Sequence, residues 1–72
     1  MKDPIKLLDV VAVVRDCPER QLVAGQVGTV VETLGEDAFE IEFVDDRGHT
    51  YATAALKADD LMVLHYTPAE TV

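Results

Sequence analysis

From Phe39 to Phe43 apolar and acidic residues alternate without a break, Phe39-Glu40-Ile41-Glu42-Phe43. This period of two is met by a strand with Phe39, Ile41 and Phe43 on a buried face and Glu40 and Glu42 on a wet one. A half-buried strand needs neighbours, and the flanking sequence supplies them. Upstream, Gly25-Gln26-Val27-Gly28-Thr29-Val30-Val31-Glu32 leads into a β-branched run that reads as a strand over Val27–Leu34. Gly25 and Gly28 mark points where a small sheet turns or bends, and Gly35-Glu36-Asp37 forms the turn into the alternating strand, Asp37 to Val44. Downstream, Asp45-Asp46-Arg47-Gly48 reads as a tight hairpin turn with Gly48 free to take a positive φ. A return strand then runs through His49–Ala55, its alanines and threonines suited to close approach by another segment.

The remaining chain extends the same pattern. Leu7–Val14 is apolar almost throughout and rich in valine, which predicts a first strand covered on both faces. Pro18 interrupts any regular structure after Asp16, so a long loop follows to Ala24, with Leu22 and Val23 folding back to cap the core. Leu56–Asp60 is too short for a stable helix and predicts a single helical turn. Leu61–Leu64 predicts a last short strand, and His65 to Val72, with Pro68, a frayed tail. Five short strands without a sustained helical period or an internal repeat predict an all-β fold. The expected form is a small five-stranded antiparallel SH3-like barrel with one short helical turn before the last strand. One domain is expected over 1–72, with its core in 7–64 and 65–72 as a flexible tail. Closure of the sheet would also remove the exposed edges that so valine-rich a sequence would otherwise present.

Charge narrows the function classes. Six basic residues against fourteen acidic ones give a net charge of −8. Lys2, Lys6, Arg15, Arg20, Arg47 and Lys57 are scattered, whereas a phosphate-binding surface needs them clustered. Nucleic acid is therefore a disfavoured partner, and a basic protein a favoured one. The single cysteine, Cys17, excludes an intrachain disulfide and gives no sign of an oxidising compartment. No apolar run approaches the roughly 20 residues that span a bilayer, and the N-terminal segment lacks the apolar region of a signal peptide. The expectation is a mature cytoplasmic chain without a membrane segment. A core this small, with no disulfide and no metal ligands to brace it, also makes a homodimer or a hetero-complex a natural expectation.

Two resemblances follow from these motifs. Gly25-Gln26-Val27-Gly28-Thr29-Val30-Val31 resembles the glycine-bearing strand of the KOW motif, found in SH3-like barrels of ribosomal and transcription-elongation proteins. Those families present basic loops to nucleic acid, and the acidic residues here depart from that pattern. A longer resemblance, from about Leu8 to Leu64, is to the short bacterial proteins catalogued as domain of unknown function 4926. It is carried by Leu8-Asp9-Val10-Val11, Pro18-Glu19 before Leu22, the Gly25–Val31 segment, Phe39–Asp45, Gly48 with Thr50-Tyr51-Ala52, and Leu56 leading to Asp60-Leu61. It implies a small SH3-like β protein and brings no catalytic residues with it.

Candidate sites can be weighed one at a time. Cys17 has Arg15 and Arg20 nearby, which would favour a thiolate, but Asp16 and Glu19 counter them and no resolving cysteine exists. His49 and His65 would have to recruit Asp45, Asp46, Asp59 or Asp60 to hold a metal, and no ligand spacing is present. Asp45-Asp46 suits a turn, where such side chains bond to nearby backbone. Glu40 and Glu42 share a strand face, but paired-acid chemistry also needs a cavity. No catalytic residue, metal site or cofactor is therefore expected. The expected interaction surface is a groove between the loop Asp16–Ala24 and the turn Asp45–Gly48. There Glu19, Asp45 and Asp46 would offer carboxylates, and Tyr51 a ring, to an Arg- or Lys-bearing partner, unless Tyr51 is half-buried in the core. The expected function is a non-enzymatic protein-interaction module acting as an adaptor, a small subunit or an antitoxin- or immunity-like inhibitor. A KOW-like nucleic-acid-associated role is the alternative.

Overall fold

The computed structural model describes residues 4–68. Five strands follow one another as β1 (Val10–Val13), β2 (Val27–Thr33), β3 (Ala38–Val44), β4 (Thr50–Lys57) and β5 (Leu61–Val63). Short 3₁₀ turns lie at Pro18–Arg20 and Ala58–Asp60. All pairings are antiparallel, and the order across the sheet is β4-β3-β2-β1-β5. No ladder joins β4 to β5 among the described residues, so each carries a ladder on one side only. The two ends of the sheet nevertheless share a single core, which takes in Val11 and Val13 of β1, Val30 of β2, Phe39, Ile41 and Phe43 of β3, Ala54 and Leu56 of β4, and Leu61 of β5. This curl is consistent with the expected barrel form. Among the described residues no polar or charged residue is buried.

Alternation in β3 is realised as expected, with Phe39, Ile41 and Phe43 buried and Glu40 and Glu42 on the other face. The turn after β3 is built largely by Asp45. Its Oδ1 accepts the backbone N–H groups of Arg47 and His49, each at 2.9 Å, and Gly48 takes φ 84°. These bonds satisfy donors that a four-residue reversal leaves out of the ladder.

The structure departs from the sequence expectation in several places, each with a local cause. The first strand begins at Val10, not Leu7. Asp9 closes a reverse turn by accepting the Lys6 N–H at 2.9 Å while its own N–H donates to Lys6 O at 3.0 Å. Leu8 is thereby forced to φ 72° and points outward. In the long loop, Cys17 and Leu22 form an isolated antiparallel bridge that puts Leu22 into the core and turns the following Val23 outward, 56% exposed. Leu22 caps the core; Val23 does not. The fourth strand continues through Leu56 and Lys57, so the helical turn begins only at Ala58. The last strand ends at Val63. Residues 65–68 of the expected tail carry no strand or helix, and 69–72 lie outside the described residues.

The glycines also divide their roles differently from expectation. Gly25 sits at φ 97°, where a side chain would be strained. Gly28 lies inside β2, paired with Val11 on one side and Phe43 on the other. The irregularity in β2 falls between Val30 and Glu32, where the extra residue Val31 shifts the register and increases the bend of the strand.

Candidate interaction site

The register divides the outer surface of the sheet into two halves. On β1, Ala12 lies between Val27 of β2 and Met62 of β5, and all three point away from the core formed by Val11, Val13 and Leu61. Val27 and Met62 are exposed and Ala12 between them is buried, so this half is apolar across three strands, with two exposed side chains flanking a covered alanine. The other half is acidic. Past the bulge, Glu32 stands directly opposite Glu40, and Glu42 follows on the same face. Like charges facing each other across a ladder weaken it. Glu42 stands apart from that pair and accepts a bond from the Thr50 hydroxyl, 2.8 Å from its Oε2.

The expected groove residues are separated by the β3–β4 ladder. Glu19 and Arg20, at the tip of the long loop, line a recess of about 330 Å³ with Ala38, Leu56, Lys57 and Asp60, the end of the ladder where Ala38 pairs with Lys57. Asp45 and Asp46 occupy the turn beyond Val44 and Thr50, at its other end, roughly 20 Å away at about 3.3 Å rise per residue. Tyr51 belongs with the turn. Its ring lies 6.1 Å from that of buried Phe43, tilted by 41°, and is half-exposed, so it covers the core edge as much as it faces solvent. The carboxylate of Asp45 is engaged by the turn, with Oδ2 3.7 Å from Nδ1 of exposed His49. The structure thus groups Asp45, Asp46 and Tyr51 and places Glu19 elsewhere.

Cys17 borders the Glu19 recess but is itself buried, with its thiol donating to Arg15 O at 3.7 Å. Two carboxylates, Glu19 and Asp60, share that recess with two cations, Arg20 and Lys57. Among the described residues no group of three or more His, Cys, Asp or Glu could hold a metal ion.

A larger recess was not legible in the sequence. About 610 Å³ in volume, it lies along β5, and all three residues of that strand line it. Val14 forms one wall, Phe39 a second, and the Pro4–Ile5 segment a third. Glu36, from the β2–β3 turn, and Asp59, from the second 3₁₀ turn, provide its titratable groups. The 3₁₀ turn is fixed by Arg15, whose Nη2 donates to Asp59 O at 2.9 Å and whose Nε lies 3.0 Å from Asp60 Oδ1. No local motif marks such a site, because its walls come from four separate stretches of chain.

A small all-β domain with an apolar core, surface recesses and a two-part outer face is the class that this geometry defines. The chain belongs to the family described as Domain of unknown function (DUF4926), which matches it over residues 7–63. No curated protein and no solved structure matches the chain. Among the described residues no helix is long and apolar enough to cross a membrane.

Proposed function

We propose that this chain is a non-enzymatic protein-interaction module of the cytoplasm that docks a basic partner as an adaptor, a small subunit or an antitoxin- or immunity-like inhibitor. The observation that carries the reading is the divided outer face: an apolar row, Met62–Ala12–Val27, beside the carboxylates Glu32, Glu40 and Glu42. Exposed apolar side chains beside charge of one sign suit a protein partner with the opposite pattern. Retaining Glu32 opposite Glu40 sacrifices ladder stability for a negative surface. Asp46 and Tyr51 extend the acidic and aromatic character at the hairpin end, and Glu19 does so at the loop tip. A second copy of the chain is a further candidate partner through the apolar row.

The test is reconstitution. Products of neighbouring genes are co-expressed with the full chain, and any complex is re-formed from the purified components. The expected result is a stoichiometric complex that weakens as salt rises. Failure of every candidate to bind, with monomeric behaviour in light scattering at high concentration, would refute the reading. The KOW-like alternative is decided by gel shifts at low salt: salt-dependent binding of RNA or DNA would favour it over the protein partner.

A further inference from the structure

We infer that the recess along β5 is the docking site for an extended protein segment that carries an apolar anchor residue beside Lys or Arg. The inference rests on the interaction reading above and names both the site and the chemistry of its occupant.

Three observations meet at this place. The first is charge. The recess at the Glu19 loop balances two acids with two cations, and a recess of about 440 Å³ beside Tyr66 sets Asp9 against Lys6 and His65. The recess along β5 has Glu36 and Asp59 and no basic residue among its described lining; Asp59 is already engaged by another group, so Glu36 is the carboxylate it offers. Of the three it alone is both apolar-walled and of one sign, which suits an apolar side chain with a neighbouring cation.

The second is shape. Phe39 and Leu61, almost fully buried, lie at its base, while Val14 and Met62 are 42% and 53% exposed at its rim. An entering side chain would cover those two residues, joining the recess to the apolar row on the outer face. Buried anchors of this kind concentrate the energy of small interfaces.

The third is the backbone of β5. Leu64 N–H donates to Val10 O, and Val14 N–H donates to Asp60 O, each at 2.9 Å. In an antiparallel ladder hydrogen-bonded pairs alternate with non-bonded ones, which makes Met62 and Ala12 the bonded pair between them. The N–H and C=O of Val63 therefore point away from β1, along the recess side of the strand. An extended segment laid there can pair with that edge while its side chains alternate between recess and solvent.

The experiment selects binders to the full chain from a displayed library of random extended peptides and measures one selected synthetic peptide by fluorescence anisotropy. Enrichment of peptides with an apolar residue next to Lys or Arg is expected. Glu36→Lys should weaken that peptide by roughly threefold to tenfold and Met62→Asp by more than about tenfold. Both residues are exposed, and circular dichroism confirms that each variant is folded. N-methylation of the peptide at the position pairing with Val63 should abolish binding. Selected peptides that bind both variants as well as wild type would overturn the site while leaving the interaction reading intact. Enrichment of acidic peptides, or of none, would overturn the proposed chemistry. A dimer broken by Met62→Asp, in a protein that binds no peptide, would assign the surface to a second copy instead. Failure of reconstitution with every partner is a separate outcome, and it would remove the broader reading too.

Discussion

Gly28→Ala is the most informative single perturbation of this fold. A Cβ at residue 28 would lie 2.6 Å from Ile41 Cγ2, 2.8 Å from Glu42 O and 3.0 Å from Phe43 Cδ1, where comfortable carbon contacts are about 3.5–4.0 Å. Ile41 and Phe43 are both fully buried and have no space to swing aside. Glu42 O is backbone, so relief requires β2 to move away from β3. Overpacking of this kind costs about 1–3 kcal/mol, and loosening a ladder hydrogen bond adds about 1 kcal/mol. The smaller unfolded-state entropy of alanine returns about 0.4–1 kcal/mol. The net expectation is a loss of about 2–3 kcal/mol. For a domain of this size that corresponds to a fall in Tm of roughly 10–20 °C. The chain has no tryptophan, so the assay is urea and thermal unfolding followed by far-UV circular dichroism. Gly35→Ala is the control: it has φ 115° and nothing within 4 Å of the added Cβ, so it meets backbone strain of about 1 kcal/mol without a clash. If Gly28→Ala were within about 0.5 kcal/mol of wild type, or milder than Gly35→Ala, the reasoning from close strand approach would be wrong.

Other predictions follow from single contacts. Leu8→Gly should raise stability by about 0.5–1 kcal/mol, measured by urea midpoint, because Leu8 is exposed and held at φ 72°, which glycine adopts without strain. Asp45→Ala should lose about 1–2 kcal/mol with the two N–H bonds it accepts, whereas Asp46→Ala should stay within about 0.5 kcal/mol; equal effects in thermal melts would contradict the assigned turn role. Glu32→Lys should stabilise by about 0.5 kcal/mol, and less in high salt, by turning the Glu32–Glu40 repulsion into attraction. Leu22→Ala should cost about 2–4 kcal/mol, since Leu22 is packed in the core; a smaller change would mean that the long loop is not part of the cooperative unit.

The elements whose signals are local were legible in the sequence. Phe39, Ile41 and Phe43 announce their strand by period alone, and Asp45 with Gly48 announces the hairpin by turn chemistry. Features that depend on pairing were not. The extra residue at Val31 is visible only once β2 is laid against β3, and the left-handed Leu8 only once Asp9 is seen closing its turn on Lys6. The loop tip has no sequence signal that places it along the ladder, and Glu19 lies at the opposite end from Asp45 and Asp46. The β5 recess is the extreme case. Val14, Phe39 and Met62 each read locally as ordinary strand-flanking or strand residues, and only the curl of the sheet brings them together.

The open side of β4 bears on how the molecule behaves in solution. An eight-residue edge from Thr50 to Lys57 without proline and with one charged residue is a template on which further copies could add strand by strand. A net charge of −8 opposes such addition by mutual repulsion. That repulsion fades beyond about 8 Å at physiological ionic strength. Concentrated salt or acid would remove it, so the carboxylates proposed to meet a partner would also set the colloidal limits of the protein.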